Sequence, residues 1–152
     1  MSNRIVKLSL VGLAFGALSV ACHSTPNEQA GSAPASTQAA KPVPEVTVTD
    51  VASLVKNKAA SVFDANDNDT RKQYGVVPGA VLLTGNKDYP LSTLPASKTE
   101  KLVFYCGGTQ CRASDAAAAR AASAGYTDVN VMRAGIRGWK DAGQATSPAP
   151  QS

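Results

Sequence analysis

The chain reads as an α/β protein built on a central parallel five-stranded sheet flanked by helices. Short apolar runs of strand length alternate with segments of helical spacing, the pattern of a parallel sheet covered on both faces. Turn signals, Pro78-Gly79 and Gly125 among them, separate the runs. One apolar run, Leu102-Val103-Phe104-Tyr105, ends on Cys106, passes through a glycine pair and enters an alanine-rich helix. That order sets a thiol over backbone N–H groups at the positive end of a helix dipole, which favours the nucleophilic thiolate.

Ahead of the folded region, residues 1–21 have the form of an export signal. Arg4 and Lys7 precede an apolar core, residues 8–20, that is too short to span a bilayer comfortably. The core runs into Leu18-Ser19-Val20-Ala21-Cys22, which resembles the lipobox of bacterial lipoproteins, with the leucine four positions before the cysteine instead of three. The resemblance implies lipid on Cys22. His23 in place of aspartate implies sorting to the outer membrane, hence an exported, periplasm-facing protein of the cell envelope. Residues 22–45 then form a tether. Ala, Ser, Pro, Gln and Thr dominate it and bury too little apolar surface to offset ordering entropy, so disorder is expected. Fully extended, it would reach roughly 70 Å. Residues 144–152 have similar composition and are expected to be a disordered tail.

The domain itself is expected over residues 46–143. Val46-Thr47-Val48 is the first strand candidate, and Val51, Leu54 and Val55 mark one face of a following helix. Ser61-Val62-Phe63-Asp64 is the second strand. Residues 67–74 are polar, a loop with a helical turn. The third strand is Ala80-Val81-Leu82-Leu83 and the fourth is Leu102-Val103-Phe104-Tyr105. A helix over residues 115–124 follows, with Ser114 as N-cap and Gly125 as its stop. Val129-Asn130-Val131-Met132 is the fifth strand, and a short helix over residues 136–142 closes the domain.

Fifteen basic against eleven acidic residues give a net charge of +4, part of which is Arg4 and Lys7 in the leader. Nucleic acid is not an expected partner, because no concentrated basic face is visible. The basic residues of the C-terminal third (Arg112, Arg120, Arg133, Arg137 and Lys140) suit either an ordinary solvated surface or a field that attracts small anions. The single histidine, His23, lies in the tether, which removes Cys–His and Ser–His–Asp catalysis. Cys106 and Cys111 lack further cysteine or histidine partners for zinc, so no metal and no cofactor are expected.

Four stretches, VFDAND (62–67), YGVVPGAVLL (74–83), LVFYC (102–106) with its loop, and GYTDVNVMRAGIRGW (125–139), together resemble a rhodanese domain. The resemblance spans nearly all of the folded region in the right order. It implies a rhodanese-like fold and a sulfurtransferase. Active members take a sulfane sulfur from a donor such as thiosulfate onto the cysteine after the fourth strand, then pass it to a thiol or to cyanide. By position that cysteine is Cys106. The implied partners are a small sulfur-containing anion and a protein persulfide or thiol. Gly107 and Gly108 would let the loop turn tightly and aim N–H groups at an anion. Thr109, Gln110 and Ser114 would supply further donors, and Arg112 the cation for sulfonate oxygens. Asp64 and Trp139 read as structural.

The chain departs from the family pattern at several positions. Arg112 lies six residues after Cys106, a longer loop closer to that of related phosphatases. Val77 and Asn66 stand where many members carry a histidine and an arginine. Cys111 leaves several chemistries open. It can close a disulfide with Cys106, attack a Cys106 persulfide, protect Cys106 by reversible oxidation, or be inert. The alternatives to a sulfurtransferase are accordingly a non-catalytic binding or sulfur-carrier module, a Cys106/Cys111 thiol–disulfide redox protein and, on loop length alone, a phosphatase or arsenate reductase.

Overall fold

A computed structural model describes residues 42–149. The expected export signal, Cys22, residues 23–41 of the tether and residues 150–152 lie outside the described residues. Helix α1 (Val48–Asn57) leads to strand β1 (Ser61–Asp64), helix α2 (Asn68–Tyr74), strand β2 (Val81–Leu82) and a 3-10 turn at Leu91–Thr93. Strand β3 (Leu102–Tyr105), helix α3 (Ala113–Ser123), strand β4 (Val129–Met132) and helix α4 (Gly135–Asp141) complete the order. All strand pairings are parallel, in the order β2-β1-β3-β4. The C-terminal ends of the strands therefore share one edge of the sheet, where α/β proteins place their ligands.

Among the described residues four strands are found where five were expected, and the missing one is the first. A capping box starts α1 too early for a strand at residues 46–48: the Thr47 hydroxyl accepts from Asp50 N, while the Asp50 carboxylate accepts from Thr47 N. What is left of the pairing is a single parallel bridge between Glu45 and Val131. Val46 N donates to Val131 O at 3.0 Å, and Val131 N donates to Pro44 O at 2.9 Å.

Strand periodicity divides the core in two. Phe63, Leu102, Phe104, Val129 and Val131 face one side with Tyr89 and the α3 alanines Ala117, Ala118 and Ala121. Val62, Val103, Tyr105 and Met132 face the other, against Val51 of α1 and Ile136 and Trp139 of α4. The alanines bring α3 close to the sheet, and on that side Phe63 stacks on Phe104 with ring centroids 5.0 Å apart. Tyr89 spans to α3 and donates from its hydroxyl to Ala117 O at 2.9 Å. Burial pushes its pKa up to about 12, so the hydroxyl keeps its proton.

The polar segment at residues 67–74 holds two helical turns, because the Asp67 carboxylate caps α2 by accepting from Thr70 N at 2.7 Å. The same bond holds the Asp67 carboxyl below the usual range. The C-terminal segment also differs from expectation as far as it is described. Val76 and Ser147 exchange two backbone hydrogen bonds of 2.9 Å, and the Trp139 indole N–H donates to Ala145 O at 2.8 Å. Those bonds tie residues 144–147 to the domain in spite of their loop-like composition.

Candidate active site

Strand β3 is buried along its whole length and lies between β1 and β4. Cys106 follows it directly at the C-terminal edge. The segment from Cys106 to Arg112 turns back over that edge into α3, and Cys111 N donates to Gly108 O at 2.9 Å inside the turn. The start of α4 pins the loop from below. Ile136 N donates to Cys106 O at 2.8 Å and Arg137 N to Gly107 O at 3.3 Å. This close approach is possible because residue 135 is glycine, at φ +63°. A Cβ there would collide with Cys106 O and come within 2.5 Å of Gly108 N. With the carbonyls occupied, the N–H groups from Gly107 to Gln110 have no acceptor among the described residues. A run of such amides is the material of an anion-binding concavity.

The loop roofs one end of a cavity of about 790 Å³. Gly107, Gly108, Thr109, Gln110 and Cys111 line it from one side, Asn66, Asp67 and Thr70 from a second, and Arg137 and Asp141 from α4. The Asn66 side-chain amide N–H₂ is buried and has no partner among the described residues, so one more donor stands free at this wall.

Two expected site residues are placed differently from the sequence reading. Arg112 lies outside the cavity, with its side chain 77 % exposed and its guanidinium held by Asp115 at 3.1 Å. Asp115 also accepts from Arg133 at 2.6 and 3.0 Å, and these bonds hold its carboxyl below the ordinary range. Arg137 is the arginine that lines the cavity. Its guanidinium carbon sits 5.1 Å from the centre of the Tyr74 ring. Ser114 is not the N-cap of α3, which begins at Ala113 after Arg112. It is buried in the first turn, where its hydroxyl lies 3.3 Å from Cys106 Sγ. The helix start is thus beside the sulfur, the place where a helix dipole favours negative charge.

Cys106 itself is buried, at 2 % exposure, and is joined to Cys111 by a disulfide with Cα atoms 6.2 Å apart. Of the two bridged residues it is Cys111, half-buried, that lines the cavity. Among the described residues no cluster of histidine, cysteine, aspartate or glutamate suits a metal ion.

Behind the loop, a buried polar network fixes the strand ends. The Asp64 carboxylate accepts from Tyr105 OH at 2.6 Å, Asn66 N at 2.7 Å and Arg71 Nε at 3.3 Å. Arg71 donates further to Asp64 O and to Leu83 O, while Val77 N donates to the Tyr105 oxygen. Burial, then the adjacent Asp64 carboxylate, pushes the Tyr105 pKa far above the ordinary value, which keeps the phenol a donor. Arg71 escaped the sequence reading because a charged residue in a polar stretch looks solvated. Only its spacing of seven from Asp64 hinted otherwise.

This fold and site define a class: the chain belongs to the rhodanese-like domain family, whose pattern matches residues 47–142. Among solved structures it is similar to the BH2092 protein of Bacillus halodurans, at 26 % identity and a TM-score of 0.56, covering 66 % of this chain and 74 % of that one. It is also similar to a protein of unknown function, described as a possible tyrosine phosphatase, from Rhodopseudomonas palustris. There the identity is 24 % and the TM-score 0.57, over 68 % of this chain and 84 % of that one. The human single-domain sulfurtransferase matches at 22 % identity and a TM-score of 0.52, over 65 % of this chain and 96 % of that one. No curated protein matches the chain.

Proposed function

We propose that this chain is a lipid-anchored rhodanese-like sulfurtransferase of the cell envelope. It moves sulfane sulfur from a donor such as thiosulfate to a thiol acceptor through a persulfide on Cys106. The observation that carries the reading is the surroundings of Cys106. Its sulfur sits beside the start of α3, under a loop whose residues line a cavity and whose N–H groups from Gly107 to Gln110 are unpaired among the described residues. In the reduced protein the Cys106 thiolate attacks the outer sulfur of thiosulfate. The sulfur–sulfur bond of the donor breaks, and sulfite leaves with the electron pair. The loop N–H groups and Arg137 supply the positive surroundings that sulfonate oxygens need. Reduced protein mixed with thiosulfate should release sulfite, and protein lacking Cys111 should also gain the mass of one sulfur atom. Absence of both with every sulfane donor tried would overturn the reading.

Arg137 takes the role that the sequence suggested for Arg112. Arg137→Ala is expected to raise the KM for thiosulfate about tenfold, the loss of roughly 1.4 kcal/mol of ionic contact, with little change in kcat. Arg112→Ala should leave KM within about twofold, because an exposed ion pair contributes little. The reverse ranking in steady-state assays would return the anion-binding role to Arg112.

The Cys106–Cys111 bridge supports a second reading, a thiol–disulfide redox protein. Redox cycling without sulfite release would select it. Phosphatase chemistry, the description attached to the Rhodopseudomonas protein, would require Arg112 to point into the loop, whereas here it pairs outward with Asp115. The cell-envelope location rests on the leader and the lipobox-like residues before Cys22. Cys22→Ala is expected to lose labelled fatty acid and leave the membrane fraction; a variant that keeps both contradicts the anchor.

A further inference from the structure

Two features of the bridge, taken with the sulfur-transfer reading, identify the acceptor. First, Cys111 reaches Cys106 Sγ directly, since the two are bonded with Cα atoms only 6.2 Å apart. Second, the two sulfurs are unequal. Cys106 is 2 % exposed and packed against Ser114, while Cys111 lines the cavity. An external thiol must therefore pass Cys111 to reach a sulfur on Cys106, and Cys111 is the only other cysteine among the described residues.

We infer that Cys111 is the built-in acceptor, which opens the Cys106 persulfide, releases the sulfane sulfur as sulfide and leaves the Cys106–Cys111 disulfide as the product state. This rests on the sulfur-transfer reading and adds the fate of the sulfur. The Cys111 thiolate attacks the inner sulfur, Cys106 Sγ. A new bond forms between the two cysteine sulfurs, the bond from Cys106 Sγ to the outer sulfur breaks, and that sulfur departs as hydrosulfide with the electron pair. The proton given up by Cys111 accompanies it as hydrogen sulfide. Across one cycle, thiosulfate and two protein thiols become sulfite, hydrogen sulfide and one disulfide; the thiols are oxidised and the sulfane sulfur is reduced.

Renewal needs a dithiol reductant, and the unequal exposure sets where it acts. Cys111 Sγ is the sulfur open to attack, and Cys106 leaves as a thiolate stabilised by the start of α3. The partner is therefore a dithiol protein that forms its mixed disulfide with Cys111. The activity becomes a dithiol-dependent reduction of thiosulfate to sulfite and sulfide, and no separate sulfur acceptor is required.

The test is a single turnover without external thiol. Full-length protein is reduced, freed of reductant under anaerobic conditions and mixed with one equivalent of thiosulfate. Wild type is expected to release sulfite and sulfide in equal amounts and to end as the disulfide without added sulfur. Cys111→Ser and Cys111→Ala are expected to release sulfite, keep one added sulfur atom on Cys106, and release sulfide at least about 100-fold more slowly, because the intramolecular attack is lost. Wild type that keeps the added sulfur and releases sulfide no faster than the variants overturns the inference and leaves sulfur transfer standing. Neither sulfite nor a mass gain in any of the three proteins overturns the sulfur-transfer reading and the inference with it.

Discussion

Replacing Cys106 with serine should abolish sulfite release from thiosulfate, by at least about 1,000-fold, because a serine hydroxyl without an adjacent base is a weak nucleophile near neutrality. The comparison that gives this result meaning is Cys111→Ser. Both variants lose the same bridge, which closes a very short loop and contributes about 2 kcal/mol in the loop-entropy account. Their thermal midpoints should therefore fall together when measured against the oxidised wild type. Their chemistry should not: sulfite release persists without Cys111 and vanishes without Cys106. Equal loss of sulfite release in the two variants would assign the bridge, and not the Cys106 thiolate, as the source of activity.

Asp64→Ala is expected to be the most destabilising single change, at about 3–5 kcal/mol of unfolding free energy. Asp64 is wholly buried and makes three hydrogen bonds, one of them to the guanidinium of Arg71, which is itself buried. Removing the carboxylate leaves that cation without its counter-charge and the Tyr105 hydroxyl without its acceptor, an uncompensated charge in a poorly solvating interior. A domain of this size has roughly 5–15 kcal/mol in all, so the midpoint should drop by about 15 °C or more. The effect reaches the site as well, because the carboxylate holds Asn66 N and Arg71 ties the ends of β1 and β2 beside the cavity. A shift of less than about 1 kcal/mol in denaturant unfolding would show that the network is not what holds these strand ends.

Much of this architecture is legible in the sequence because strands and helices impose different periods on apolar residues. The runs 61–64, 102–105 and 129–132 became β1, β3 and β4 without adjustment, since each is flanked by turn residues and buried on both faces. The position of Cys106 follows from the same logic, as the residue that ends a central strand before a glycine pair. The first expected strand failed because Thr47 and Asp50, three residues apart, begin a helix. That capping signal outweighs β-branched composition at Val46 and Val48.

The site was harder to read where function depends on which face of a helix a residue occupies. Arg112 precedes Asp115 by three positions, a spacing that draws the pair together on the outer surface. In α4, Ile136 and Trp139 are buried, so Arg137, Gly138 and Asp141 are left to face the cavity. Both spacings were available in the sequence. The contact of Gly135 with the Cys106 loop was not, because it joins segments nearly thirty residues apart through a backbone approach that leaves no local pattern. The unequal exposure of Cys106 and Cys111 likewise arises only once the loop is folded over the sheet edge.

The most direct test follows one sulfur atom onto one side chain. Reduced protein, treated with thiosulfate isotopically labelled at its outer sulfur, is alkylated, digested and mapped by mass spectrometry, with Cys111→Ser included to retain the first product. In Cys111→Ser the labelled sulfur is expected on Cys106; in wild type it is expected to leave as labelled sulfide, and only after reduction of the bridge. Label on Cys111 in wild type, or absent from Cys106 in folded Cys111→Ser, would contradict Cys106 as the sulfur-accepting residue.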